Sequence, residues 1–267
     1  MAKQLKIIDS CAFQELFLYD RAGRFDPPKV RAAKQKASSE AQKRMNLKNA
    51  CRQVERRLAK NFPTAGSARW YTLTYDEEHL HRDPDPKVCR KKVLRDKDAF
   101  LKALRKGRAA AGLPAPRAAG CIEVLTSRNN RWHIHILIDA TGDDDDEMVR
   151  RCWKKGTDIE IRPLRVDKEK NHETLARYMT KEMRELQDRC DAPGAHVWFF
   201  TRNCLKVEVE SFTVPDDYEL DVPSGCEVMA DRKEQTEFAS WHYQKLRTDP
   251  AAIPKRPRAK RRKRRSA

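Results

Sequence analysis

Apolar residues recur at two spacings along the chain, every second position and every third or fourth, and the switches between them outline the elements. RWYTLTY, residues 69–75, alternates, with Tyr71, Leu73 and Tyr75 on one face and Thr72 and Thr74 on the other, the period of a strand. Before it, ASSEAQKRMNLKNACRQVERRLAKNF spaces Met45, Leu47, Cys51, Val54 and Leu58 at helical intervals. PTAG stops that helix, because proline and glycine are costly inside one. DPKVCRKKVLRDKDAFLKALRKGRAAAG reads as a basic helix whose apolar side is Val93, Leu94, Phe100, Leu101 and Leu104. CIEVLT (121–126) and WHIHILID (132–139) are strands joined by the polar SRNNR, whose asparagines suit a hairpin turn.

TGDDDDEMVRRCWKKG places acids where a helix dipole is positive and closes with glycine. A strand (TDIEIRPLRV), a helix (NHETLARYMTKEMRELQDRC) and a strand (LKVEVES) follow. The order β-α-β-β-α-β-α-β implies an α+β domain, one antiparallel sheet with helices packed on it. The expected divisions are an N-terminal extension (1–44), this domain (45–212), a C-terminal extension (213–248) and a disordered basic tail (249–267). Both extensions are expected to be helical, the second because CEVMADRKEQTEFASWHYQKLR reads as one more helix.

Composition adds a partner. Of 267 residues, 57 are Lys or Arg against 40 Asp or Glu, a net charge of +17. Nine of the basic residues are Lys255, Arg256, Arg258, Lys260, Arg261, Arg262, Lys263, Arg264 and Arg265, so about +8 remains without them. Basic charge on both body and tail favours a polyanion, because each cation that neutralises a phosphate releases condensed counterions. The eight scattered cysteines form no C-x-x-C pair, which argues against a zinc ribbon or disulfide framework and for reduced intracellular thiols. MAKQLKIIDSCAFQELFLYD has acids within it and no long apolar core, so neither a signal peptide nor a membrane span is expected.

The candidate chemistry lies in RWHIHILID (131–139). Residues i and i+2 of a strand share a face, so His133 and His135 project together, opposite Trp132, Ile134, Ile136 and Ile138. One histidine there is most often a satisfied core residue; two co-facial imidazoles are what a bidentate metal site needs. Across the hairpin, Ile122 and Val124 join the core and Glu123 faces the histidines. Two histidines and a carboxylate leave coordination positions open, which suits a catalytic divalent ion. In LARYMTKEM the stripe Leu175, Met179, Met183 and Leu186 is apolar, and Tyr178 and Lys181 lie three apart on one face.

WYTLTY, then RWHIHILID, then ARYMTKEM, in that order, resemble the three motifs of rolling-circle replication initiators of single-stranded DNA phages and plasmids, in the HUH endonuclease superfamily. The resemblance covers about residues 45–210 and includes Trp153 and Gly156 ahead of the TDIEIRPLRV strand. It implies a ferredoxin-like antiparallel sheet, with His133, His135 and Glu123 as ligands of Mg²⁺ or Mn²⁺, Tyr178 as nucleophile and Lys181 as its helper. It also implies an enzyme that nicks and rejoins single-stranded origin DNA through a 5′-phosphotyrosine. Its expected partners are that DNA and a host helicase and polymerase, no membrane being involved, in the cytoplasm of a bacterial host. No G-x-x-x-x-G-K-[ST] is present to supply a helicase in the same chain. An HUH transposase or relaxase-type strand transferase, and a non-catalytic single-stranded nucleic-acid binder, are the alternatives. Relaxases place their tyrosine before the histidines, and a two-tyrosine initiator would need a tyrosine where Glu182 stands.

Overall fold

The computed structural model describes residues 2–20, 40–125, 131–167, 171–181, 198–235 and 240–248. In chain order the elements are β1 (Lys3–Asp9), β2 (Phe13–Asp20), α1 (Glu40–Asn61), β3 (Ala68–Thr74), α2 (Pro86–Ala110), β4 (Ala118–Leu125), β5 (Arg131–Asp139), α3 (Asp145–Cys152), β6 (Ile159–Pro163), α4 (Glu173–Thr180), β7 (Trp198–Phe200), β8 (Glu208–Val214), β9 (Glu227–Gln235) and β10 (Ser240–Arg247). The architecture is α+β, with two antiparallel five-stranded sheets in two compact units, one from residues 38–205 and one from 1–37 with 206–267.

In the 38–205 unit the strand order is β6-β3-β5-β4-β7. Tyr71, Leu73, Ile122, Val124, Trp132, Ile134, Ile136 and Ile138 line one sheet face and pack on Val93, Phe100, Leu101 and Leu104 of α2 and Met148 and Val149 of α3. On the other face Ala119, Cys121 and Leu137 meet Val54 and Leu58 of α1 and Ala176 and Met179 of α4. Helices thus cover both faces, as the alternating strands require. α2 starts where Pro86 takes the first turn and the Asp85 side chain accepts the Lys87 N–H at 2.8 Å. The first turn of α4 is satisfied by its approach segment, Asn171 Oδ1 accepting from Glu173 N and Asp167 Oδ2 from Thr174 N.

The acids before α3 do more than suit a dipole. Asp145 accepts N–H bonds from Thr141 (2.6 Å) and Gly142 (3.1 Å), and Asp146 takes the Tyr71 hydroxyl at 2.8 Å. Arg108, 1% exposed, donates to Asp139 Oδ1 at 2.6 Å and to Asp145 Oδ1 at 3.3 Å, tying α2 to the end of β5 and the start of α3. A run of basic residues reads as a solvated helix face, and the burial of this one is set by its tertiary partners.

Several expectations change. The extensions are not helical in their described parts, which are strands β1 and β2 and strands β9 and β10. LKVEVES supplies β8, but β8 pairs with β1 in the other sheet, and the fifth strand beside the histidines is the three-residue β7. Local alternation identifies a strand without naming its partner, and β1 and β8 lie some 200 residues apart in sequence. Residues 226–247 carry apolar groups too sparse to distinguish the two periods, and pairing with β2 decides for strands. Met45 is 56% exposed and takes no part in the core. The SRNNR turn from 126 to 130, Met183, Leu186 and the nine tail cations lie outside the described residues. Among the described residues no disulfide occurs, and no helix is long and apolar enough to cross a membrane.

Replacing Arg108 with alanine strands two buried carboxylates, and urea unfolding is expected to show a loss of about 3–5 kcal/mol. A loss below about 1 kcal/mol would mean that this network does not hold β5.

Candidate active site

The site is built by cross-strand register. Thr74 of β3 and Glu123 of β4 are the direct partners of His133 on β5, so Thr74, His133 and Glu123 form one row. In the next row of this face, Glu160, Thr72, His135, Cys121 and Trp198 run across all five strands. The period of two therefore places both histidines on one face, as the sequence implies, with ring centroids 6.3 Å apart and near-parallel planes. Thr74 Oγ1 lies 3.3 Å from His133 Nδ1, and Thr72 Oγ1 lies 3.2 Å from His135 Nδ1. Each threonine thus fixes the inner edge of one ring and turns its Nε2 edge away from β3.

Thr74 is itself held. Its carbonyl accepts the Trp153 indole N–H at 2.9 Å, and a Cβ on Gly156 would stand 2.0 Å from the same oxygen. Glycine at 156 is what allows that approach. Trp153 and Gly156, both within the stretch that resembles the initiators, thus act on the strand that backs His133.

Glu123 is the node. Its Oε2 lies 2.5 Å from His135 Nε2 and accepts the Tyr178 hydroxyl at 2.8 Å, while Oε1 accepts Lys181 Nζ at 2.5 Å. The Tyr178 oxygen is also 3.0 Å from His135 Nε2, and Lys181 Nζ lies 4.4 Å from the centre of the Tyr178 ring. The structure thus brings together His133, His135, Glu123, Tyr178 and Lys181 from β4, β5 and the end of α4. The His135 hydrogen bond, helped by those from Lys181 and Tyr178 and opposed by burial, holds the Glu123 carboxyl down at about 2.

Tyrosines elsewhere on the sheet differ. Tyr71 and Tyr75 are buried, donate to Asp146 and Asp96, and have their pKa pushed up, by burial above all, so neither ionises readily. Tyr178 is half-buried at the rim. A cleft of about 480 Å³ is lined by Thr72, Thr74, Glu123, His133, His135, Asp158 and Glu160. Trp70 stacks on His135 at 5.8 Å and meets Tyr178 edge-on at 5.9 Å.

Trp70, Thr72, Thr74, Asp158 and Glu160 are site residues that motif reading leaves out. The even-numbered face of RWYTLTY signals the first three once β3 is paired with β5. Nothing in TDIEIRPLRV announces the other two.

Residues 68–187 match a family model of replication-associated proteins, that of the ORF2 type. The match spans β3 to α4 and every candidate catalytic residue, and it supports a role in DNA replication with DNA as a partner. No curated protein and no solved structure matches the chain.

As donors, two threonine-backed imidazoles and a carboxylate are of the type that holds a divalent ion. Their present spacing is hydrogen-bonded: among the described residues no three His, Cys, Asp or Glu side chains stand in coordinating geometry. Glu123 has both oxygens occupied by protein donors, so an ion would take the place of the His135–Glu123 contact.

A carboxyl held below its ordinary 4.5 contributes stability that is present above that pH and is lost as pH falls toward about 2. In chelator, thermal unfolding of Glu123→Gln is therefore expected to depend less on pH across that window than unfolding of the parent. Identical slopes for the two proteins would remove the ion pair from the account.

Proposed function

We propose that the protein is a replication initiator of the HUH type, a nickase and strand transferase that cuts single-stranded origin DNA through Tyr178 to start rolling-circle replication in the cytoplasm of a bacterial host. The observation that carries the reading is the Tyr178 hydroxyl, hydrogen-bonded to Glu123 at 2.8 Å and 3.0 Å from His135 at the end of a polar cleft. A phenol so close to a two-histidine, one-carboxylate donor set has its nucleophile and its electrophile-activating groups within one hydrogen-bond network. The order of strands around β5 is compatible with the ferredoxin-like sheet expected of that superfamily.

The Tyr178 oxygen attacks phosphorus, the bond from phosphorus to the 3′-oxygen breaks, and the 5′-phosphate remains on the tyrosine. The phenolic proton leaves along the bond to Glu123 and reaches solvent, and the departing 3′-oxygen takes up a proton to become the hydroxyl that primes synthesis. Lys181 favours the phenolate by its charge beside the ring and stands where it can pair with the incoming phosphate. Trp70 and the threonines keep His135 in place. His133, His135 and Glu123 would hold Mg²⁺ or Mn²⁺, whose chemistry there is to polarise the phosphate and stabilise the developing charge. The phosphotyrosine conserves the bond energy, so a returning 3′-hydroxyl rejoins the strand. The tail from Lys255 to Arg265 serves as a sequence-independent DNA arm, and a host helicase and polymerase extend the primed strand.

Incubating Tyr178→Phe with origin DNA and Mn²⁺ is expected to give no covalent adduct on a denaturing gel. His133→Ala with His135→Ala should cut cleavage at least about 100-fold while most DNA binding survives. Adduct formation by the phenylalanine variant would refute the nucleophile. Deleting residues 249–267 should weaken affinity and flatten its dependence on salt without moving the nick, because phosphate contacts position DNA without reading it. A shifted nick would show that the tail reads sequence.

A further inference from the structure

The second sheet has the order β8-β1-β2-β10-β9, and its two faces differ in kind. On one, Leu5, Leu18 and Val214 form a small core closed by Tyr218 and Leu220. The other carries a block of aromatic rings. Trp241 of β10 pairs directly with Tyr19 of β2, and Tyr243 pairs with Phe17. Since positions two apart share a face, the four rings form a square two strands wide and two rows deep. Phe17 and Tyr243 are 4.8 Å apart between centroids, and Tyr19 and Trp241 are each 38% exposed.

Cations flank the square. Lys6 pairs with Phe17 across β1 and Arg232 with Tyr243 across β9, so one row reads Lys6, Phe17, Tyr243, Arg232 over four strands. The acidic side chain beside these rings in the next row of β2, Glu15, is 4% exposed and accepts the Tyr243 hydroxyl at 2.9 Å, which keeps its charge away from the surface. Glu234, opposite Trp241, stands at the margin. In sequence β10 ends eight residues before Lys255, the first of the nine tail cations.

Large exposed aromatics on a flat sheet are costly to leave in water, and cations at the ends of their row exclude a purely apolar partner. Bases stack on such rings whatever their sequence, and phosphates find the flanking charges. We propose that this face of the second sheet is a stacking surface for single-stranded DNA, separate from the nicking site and indifferent to sequence. The choice of DNA as the strand rests on the replication reading; the stacking surface goes beyond it. Its work is to hold a strand that the Tyr178 site does not need to recognise.

The test is fluorescence anisotropy of a labelled 20-nucleotide oligothymidine with the full chain, in chelator, so that cleavage plays no part. Tyr19→Ala with Trp241→Ala is expected to weaken binding about tenfold or more and to leave the slope of log affinity against log salt unchanged. Tyr19→Phe with Trp241→Phe should bind within about threefold of the parent, which separates stacking from loss of folding. Lys6→Ala with Arg232→Ala should reduce the slope by about one to one and a half. Binding by the alanine pair within twofold of the parent overturns the proposal. So does an equal loss for duplex DNA, a tenfold preference for RNA of matching sequence, or sedimentation showing that the alanine pair splits a dimer, which would make a second copy the occupant. Nicking of origin DNA is scored separately. Loss of stacking without any nicking in the parent sinks only the Tyr178 reading; normal nicking with unchanged oligothymidine binding sinks only this one.

Discussion

The antiparallel register of β5 between β3 and β4 is the constraint on which the site depends. It puts Thr74, His133 and Glu123 in one row and Thr72 and His135 in the next. A slip of one residue would turn both histidines into the core and Ile134 and Ile136 out of it. Burial opposes that slip, since both isoleucines are fully enclosed. Backbone geometry opposes it too: a Cβ at Gly120 would lie 2.2 Å from the His135 carbonyl, so β4 and β5 are fitted to each other at that point. Arg108 clamps the end of β5 through Asp139.

Given that register, one carboxylate organises the rest. Glu123 receives bonds from a second strand through His135 and from α4 through Tyr178 and Lys181. Taking such a group out of water is costly unless its oxygens are occupied, and here both are. The same bonds that stabilise the charge aim the phenol and the ammonium at the cleft. Packing beneath α4, through Ala176 and Met179, keeps that aim while leaving the Tyr178 ring at the rim. The stable arrangement and the reactive one share the same atoms, which is why Tyr178 is placed to act and Tyr71 and Tyr75 are not.

Legibility in the sequence followed the range of the interactions. The faces of β3 and β5 were readable because alternation is a local property, and α2 because its apolar stripe, Pro86 and Gly112 lie within a few turns. Glu123 was placed opposite the histidines by a hairpin only a few residues long. Asp158 and Glu160 were not readable, since they reach the cleft through pairing of β6 with β3. The buried state of Arg108 was hidden in a basic run for the same reason. The helix expected over 226–247 failed where the local pattern was weakest and a distant strand, β2, decided.

By itself the sequence determined which residues share a face: His133 with His135, Thr72 with Thr74, Tyr178 with Lys181. Those relations follow from the fixed periods of strand and helix and need no partner. Only the tertiary structure decided which faces meet. It brought Tyr178 within hydrogen-bonding distance of Glu123, 55 residues away, and gave LKVEVES to a second sheet in place of the first. Pairing between distant segments depends on the whole packed core, and no local period encodes it.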